Sequence, residues 1–511
     1  MRASKKTAFL SVAISAIVLS GCFSGGGGGS SNADAVTPPA PPPPSEPLTR
    51  QQQRILSGEA FDPMVPAVIA SDEAFRDNGL AGYEDSDRWF GVLGGARYRI
   101  EVPSGEDWNG MVVMWAHGFR GEGPTLFVDN PPMREYLLAN GYAWAASSYS
   151  TTYYDVRAGV EDTNALALAF NNIAEENGRT LDQPSKRYIT GVSMGGHVAG
   201  AAIERETQET ANNFVPYDGA APMCGVMGDT ELFDYFTAYG LALYELAGVG
   251  ADSFPVSEAD AAEKVAVARN VLWANYSASQ AANTLTAAGQ PLFPILQNLT
   301  GGERPVYNVA FGGFQNLLQG FAGADGTITG ILNDSVVDTT DVLYRFLSKP
   351  GQPLIGLEVP FNANIVKAVP TAGANGLRED GLRFIPKVNG DLYADIPVVT
   401  VHTLGDLFVP ISMQQIYRTR MEANGWGDNL VQRAVRAPGH CDFSLEEFER
   451  TLDAMLQWEQ EDIVPLGDDL LDPDAMADPL FGCEFTVDGA PETATRAFIS
   501  PLIGACPTPI I

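Results

Sequence analysis

Gly191-Val192-Ser193-Met194-Gly195 decides how this chain is read, because a serine boxed by glycines directly follows the mostly apolar run Tyr188 to Val192. A serine so placed sits on a sharp turn from a strand into a helix, with its hydroxyl raised clear of the sheet. The glycines answer a steric demand, since a side chain at Gly191 or Gly195 would collide with the neighbouring strand and helix. Five residues of this kind also occur as an ordinary Gly-rich turn. The weight therefore rests on what surrounds them.

A serine hydroxyl is a poor nucleophile until a base takes its proton, so a histidine oriented by a carboxylate is required downstream. The chain has four histidines. His117 precedes the serine, His197 lies on the helix that the turn opens, and His402 falls inside an apolar run that reads as a strand. His440 remains, in the loop Ala437-Pro438-Gly439-His440-Cys441, between the strand-like Val431 to Val435 and a helix whose Ser444 and Glu447 are spaced as a capping box. The carboxylate is expected just after the strand-like Pro397 to Thr403, where Gly405-Asp406-Leu407-Phe408-Val409-Pro410 offers Asp406. His197 and His402 are assigned to packing or supporting roles, and His117 to shaping its own loop.

The order Ser193, Asp406, His440 is similar to that of the α/β-hydrolase superfamily, particularly its secreted bacterial esterase-like members. The resemblance covers about Arg97 to Gly228 and Ile396 to Gln460. It implies an α/β fold: a mostly parallel central sheet flanked by helices, with a large, mainly helical cap insertion. It also implies a serine ester hydrolase that needs no cofactor. Met111 to Ala116 runs into His117-Gly118-Phe119, where the superfamily places an oxyanion loop. By that resemblance the oxyanion donors are the amides of Met194 and Phe119, each worth about 3 kcal/mol in the transition state.

The first residues carry Arg2, Lys5 and Lys6, then the apolar stretch Thr7 to Leu19, then Leu19-Ser20-Gly21-Cys22. A basic start, a short apolar core and a small-residue cleavage site make a signal peptide over 1–21, too short to span a bilayer. It resembles a bacterial lipoprotein signal, in which Cys22 becomes the lipidated first residue. The Gly- and Pro-rich stretch 22–47 reads as an extended, flexible tether. The expected location is outside the cytoplasm, lipid-anchored, on an outer membrane facing periplasm or exterior.

Export implies oxidising surroundings and gives the other four cysteines a meaning. Three pairings exist. Cys224 follows a strand-like segment on the side of the sheet where the site is expected, and Cys441 adjoins His440, which favours Cys224 with Cys441. Cys483 and Cys506 share a C-terminal tail with little apolar content and are paired with each other. Some tannase and feruloyl esterase relatives also bridge beside serine and histidine, but they carry a cysteine immediately before the serine, where this chain has Val192. No Cys/His cluster has metal-ligand spacing, so no metal site is expected.

Composition sets outer limits. With 63 acidic against 31 basic residues the formal net charge is -32, which repels nucleic acid and anionic polymers and suits either neutral substrates or a salty environment, between which charge alone does not choose. With the hydrolase reading, the expected partner is a neutral or apolar ester substrate. Cys22 is the expected membrane contact, and the oligomeric state is left open. Strand-like runs at Arg97 to Val102, Met111 to Ala116, Tyr142 to Ser147, Arg187 to Val192 and Val215 to Ala220 alternate with helical patterns such as Val160 to Asn177, which predicts a parallel sheet. The expected organisation is a first hydrolase half over 48–228, a cap over 229–395, the second half over 396–462, and a disulfide-stapled tail over 463–511. Within the cap, Glu258 to Leu285 and Asp338 to Leu347 read as helices. Its aromatics Tyr235, Phe236, Phe311 and Phe314 read first as cap core and second as pocket lining. Three functional readings are carried: an ester hydrolase, with polyester or oligomeric esters as a narrower version; a prolyl-oligopeptidase-like peptidase; and a non-catalytic surface lipoprotein that keeps the fold for binding. The stretch before Arg97 is too short for the β-propeller that usually precedes such a peptidase.

Overall fold

In the computed structural model the strand-like runs assemble into one eight-stranded sheet: β1 Asp87–Leu93, β2 Ala96–Val102, β3 Met111–Ala116, β4 Ala143–Ser147, β5 Lys186–Val192, β6 Gly219–Met223, β7 Val398–Thr403 and β8 Leu430–Val435. The structure describes residues 70–123, 125–324, 328, 330–487, 496 and 506. The expected leader, Cys22 and the tether lie outside the described residues.

The strand order is β1-β2-β4-β3-β5-β6-β7-β8. β2 runs antiparallel to both β1 and β4, and all pairings from β4 to β8 are parallel. This order and sense make the α/β-hydrolase fold. Residues alternate between its two faces with period two. Val112 and Met114 enter one core with the helices Val156–Glu176 and Met194–Ala202, while Val113 and Trp115 enter a second core with the helices Arg134–Ala139 and Leu445–Glu461. The last of these begins with the expected capping box, Ser444 and Glu447 bonding reciprocally, and buries Phe448, Leu452 and Met455 against the sheet.

Between β6 and β7 the regular elements among the described residues are helical: Glu231–Leu246, Glu258–Leu272, Leu292–Leu299, Tyr307–Gly320 and Glu358–Asn364, with one short 3₁₀ turn. Three local expectations are corrected. The helix expected over Glu258 to Leu285 ends at Leu272, where Trp273 forms a bridge to Leu285. No helix forms over Asp338 to Leu347. There the Glu358 carboxylate accepts the amides of Phe346 and Leu347, each at 2.6 Å, and Asn362 accepts that of Tyr344 at 2.8 Å, so side chains take donors a helix would need. The strand expected over Val215 to Ala220 lies later, at Gly219–Met223.

Register places the chemistry. Ala116 pairs with Gly191, Val192 with Met223, Met223 with Val401, and Thr403 with Val435. The C-terminal ends of β3, β5, β6, β7 and β8 therefore form one rim. Loops leaving that rim carry His117 to Phe119, Ser193, Cys224, Asp406 and His440, at the edge where open α/β sheets bind their ligands.

Candidate active site

Ser193 sits between β5 and its helix at φ 56° and ψ -122°. A non-glycine residue in that region costs on the order of 1–3 kcal/mol, and close packing holds it there. A Cβ on Gly195 would lie 2.0 Å from the Ala116 carbonyl oxygen, and one on Gly191 would lie 2.4 Å from the Gly195 carbonyl oxygen. Only glycine permits this approach of strand, turn and helix.

Residues 247 positions apart then meet: the Ser193 hydroxyl lies 2.8 Å from His440 Nε2. His440 Nδ1 lies 2.6 Å from Asp406 Oδ2. Asp406 is fully buried, and its other oxygen accepts the amides of Phe408 at 2.9 Å and Val409 at 3.0 Å. A carboxylate so fixed accepts the Nδ1 proton, which leaves Nε2 with a lone pair aimed at the serine. The loop carrying His440 is itself secured. Thr403 donates to the Gly439 carbonyl at 2.7 Å, the Gly405 amide donates to the Ala437 carbonyl at 2.9 Å, and Cys441 is disulfide-bonded to Cys224 at the end of β6. Cys483 pairs with Cys506. Both pairs are those expected from the sequence.

The loop after β3 lies against the serine. A Cβ on Gly118 would be 3.2 Å from the Ser193 Cβ. Its conformation is held by Tyr149, whose hydroxyl donates to the His117 carbonyl at 2.9 Å and whose ring stacks on the His117 imidazole at 4.0 Å. Met194 is the first residue of the helix after Ser193, so its amide is among those without an intrahelical acceptor. Phe119, partly buried, follows Gly118 in the facing loop. Met194 directly follows Ser193, and Phe119 follows the Gly118 that lies against it.

The other three histidines are buried and make no hydrogen bond to Ser193, His440 or Asp406. Burial pushes His117 down to about 4, and its Nδ1 meets the Gly118 carbonyl at 2.6 Å. Burial also lowers His197, which spans the Tyr154 hydroxyl and the Pro386 carbonyl. His402 is lowered by burial as well. Its Nε2 donates to the Val409 carbonyl at 2.7 Å and lies 3.8 Å from Asp406 Oδ2. All three are neutral at physiological pH.

One contact escaped the sequence reading. The Phe408 ring meets the His440 imidazole edge to face at 5.2 Å, and stacks on Phe236 at 5.9 Å and Phe321 at 5.8 Å, both from the insertion. Phe236 and Phe321 stack on each other at 4.7 Å. The insertion therefore reaches the histidine through an aromatic wall. Tyr235 and Phe311 are buried, Phe311 against Phe293 and Tyr307 within the insertion, and Phe314 is partly buried. Phe408 was visible only as a residue two places beyond Asp406.

No family model and no curated protein matches this chain. Among solved structures, it is similar to the rice cell wall degrading esterase LipA from Xanthomonas oryzae at 17% identity, over 72% of this chain and 84% of that one, with a TM-score of 0.32. It is similar to feruloyl esterase B from Aspergillus oryzae at 13% identity, over 73% and 80%, with a TM-score of 0.40. It is also similar to a puromycin-hydrolyzing peptidase from Mycobacterium tuberculosis at 14% identity, covering 75% of this chain but 40% of the peptidase, with a TM-score of 0.34. The fold assignment stands on strand order and register.

Proposed function

We propose that this chain is a serine hydrolase that cleaves carboxylic esters through an acyl-enzyme. The observation that carries the reading is the continuous relay from Ser193 through His440 to the buried Asp406, at 2.8 and 2.6 Å. Ser193 Oγ bonds to the ester carbonyl carbon while its proton passes to His440 Nε2. The amides of Met194 and Phe119 hold the oxyanion. The carbon–oxygen bond to the alcohol breaks as His440 returns that proton to the leaving oxygen. Water then attacks the acyl carbon, gives a proton to His440, and the bond to Ser193 Oγ breaks with the proton going back to the serine. Asp406 holds the imidazole in the required tautomer throughout and stabilises its charged form.

Two observations support a neutral or apolar substrate. Phe408, Phe236 and Phe321 wall the histidine side of the site, and a net charge of -32 disfavours anionic polymers. The test is a panel of p-nitrophenyl esters and aminoacyl p-nitroanilides with the wild type and Ser193→Ala. Ester turnover that vanishes in the variant is expected. Turnover of anilides alone would make the chain a peptidase, and silence across the panel would leave a binding protein on a hydrolase fold.

The same reading places the enzyme outside the cytoplasm, tethered through a lipid at Cys22, as the amino-terminal pattern and the two disulfides suggest. No helix among the described residues is long and apolar enough to cross a membrane. In a bacterial host, Cys22→Ser is expected to move the protein from the membrane fraction to the soluble one and to remove the acyl mass from its amino terminus.

A further inference from the structure

The turn that carries Asp406 is gripped from the insertion. Arg304, in the loop between the helices Leu292–Leu299 and Tyr307–Gly320, is buried and donates through Nε to the Leu404 carbonyl at 2.7 Å. Its other donors stay in its own loop, reaching the Gly302 carbonyl at 2.8 Å and the Thr300 hydroxyl at 3.1 Å, and the Tyr307 ring lies 5.1 Å from the guanidinium carbon. A second hand reaches the same turn, since the Tyr235 hydroxyl donates to the Leu407 carbonyl at 2.7 Å. Val306 packs beside them in one apolar cluster with Leu404 and Ile411.

A buried guanidinium needs a compensating anion, because carbonyl oxygens do not neutralise its charge. Asp406 is the carboxylate that acts on Arg304 electrostatically. Burial lowers Arg304 to about 10, with Tyr307, Tyr235 and Asp406 drawing it back up, so it stays charged at neutral pH. The groups around Asp406 are His440, His402, the Phe408 and Val409 amides, Tyr235 and Arg304. His402 is neutral and the Tyr235 phenol is raised well above its usual value by burial, so Arg304 is the fixed cation of this group.

We propose that Arg304 is a positioning residue for the reaction: it ties the Asp406 turn to the insertion through its hydrogen bond to the Leu404 carbonyl. The inference rests on the relay reading above. Held from the insertion at Leu404 and Leu407, the turn has its carboxylate fixed where His440 meets it.

Arg304→Lys, Arg304→Gln and Arg304→Met, made in the full mature protein, test the tie. The kcat and KM of a p-nitrophenyl ester are measured separately for each, with thermal melts to establish folding. All three are expected to lower kcat more than they raise KM, because the tie acts on the Asp406 turn and not on the substrate. If Met fails to fold, Gln carries the comparison. A folded Gln variant with the wild-type kcat overturns the proposal. Ser193→Ala run alongside distinguishes the failures: if it stays active, the relay reading falls and this inference with it; if it is inactive while the Arg304 variants keep the wild-type kcat, this inference alone falls.

Discussion

Replacing Asp406 with asparagine changes one atom in a fully buried site, and the surrounding hydrogen bonds dictate how it must sit. One oxygen of Asp406 accepts the Phe408 and Val409 amides at 2.9 and 3.0 Å, and the other accepts from His440 at 2.6 Å. The asparagine carbonyl has to stay on the two amides, since turning its NH2 toward them would strand two buried donors at about 1–3 kcal/mol each. The NH2 group then faces His440 Nδ1 and forces the ring into the tautomer with its proton on Nε2. That nitrogen now points a proton at Ser193, and the base is gone. Recovering the productive tautomer costs the two stranded amides, about 2–6 kcal/mol, together with the charge-assisted bond to the imidazolium, worth about 1.5–3 kcal/mol. The middle of the combined range is about 6 kcal/mol, or a fall in kcat/KM of roughly 10⁴- to 10⁵-fold, the scale on which a wrong tautomer costs serine hydrolases. The assay is kcat/KM on a p-nitrophenyl ester for wild type, Asp406→Asn and Ser193→Ala, with melting curves to establish that the near-isosteric variant is folded. A folded Asp406→Asn enzyme within about tenfold of wild type would refute the assignment of Asp406 as the orienting acid.

Three further outcomes are expected. The Cys224–Cys441 bridge closes 217 residues, so the chain-entropy model gives it on the order of 5 kcal/mol, and its selective loss in Cys224→Ser/Cys441→Ser is expected to lower both the melting temperature and kcat, because Cys441 adjoins His440; unchanged kcat in a folded variant would detach the bridge from histidine placement. Gly195→Ala, which puts a Cβ 2.0 Å from the Ala116 carbonyl oxygen, is expected to abolish soluble expression or to cost several kcal/mol in a urea melt, far beyond the roughly 1 kcal/mol of an ordinary substitution. Burial alone would raise the Glu358 carboxyl, but the amides of Ile355, Leu347 and Ser348 outweigh it and hold it down to about 2. Its folded value lies below the unfolded one, so its contribution is complete above the unfolded value and is lost as pH falls toward about 2; limited proteolysis along an acid titration should find the wild type losing protection there, and Glu358→Gln already less protected at neutral pH.

Legibility followed the distance between cause and effect along the chain. Met111 to Ala116 and Tyr188 to Val192 could be read because a strand buried on both faces is a mostly apolar run, and the loop after it inherits its place from the register of the sheet. That is why Ser193, Asp406 and His440, each just past a strand, were visible from residue type and order. The strand β6 was misplaced for an equally local reason: Gly219-Ala220-Ala221-Pro222 has almost no strand propensity, and a proline ordinarily argues against a central strand. The small residues suit a crowded position, since a Cβ on Gly219 would lie 2.4 Å from the Met455 sulfur. Asp338 to Leu347 read as helix because no local signal announced that Glu358 and Asn362 would take its amides. Arg304 was silent for the same reason at longer range: the carbonyl it holds belongs to Leu404, 100 residues away, and an arginine in a loop reads as a solvated charge until its surroundings are known. An insertion that only covered the serine would leave Asp406 to its own domain. Here the Asp406 turn takes hydrogen bonds from Arg304 and Tyr235, and His440 meets the insertion through Phe408, Phe236 and Phe321. A displacement of the insertion must therefore strain the acid and the base together, which makes its packing part of the reaction's geometry.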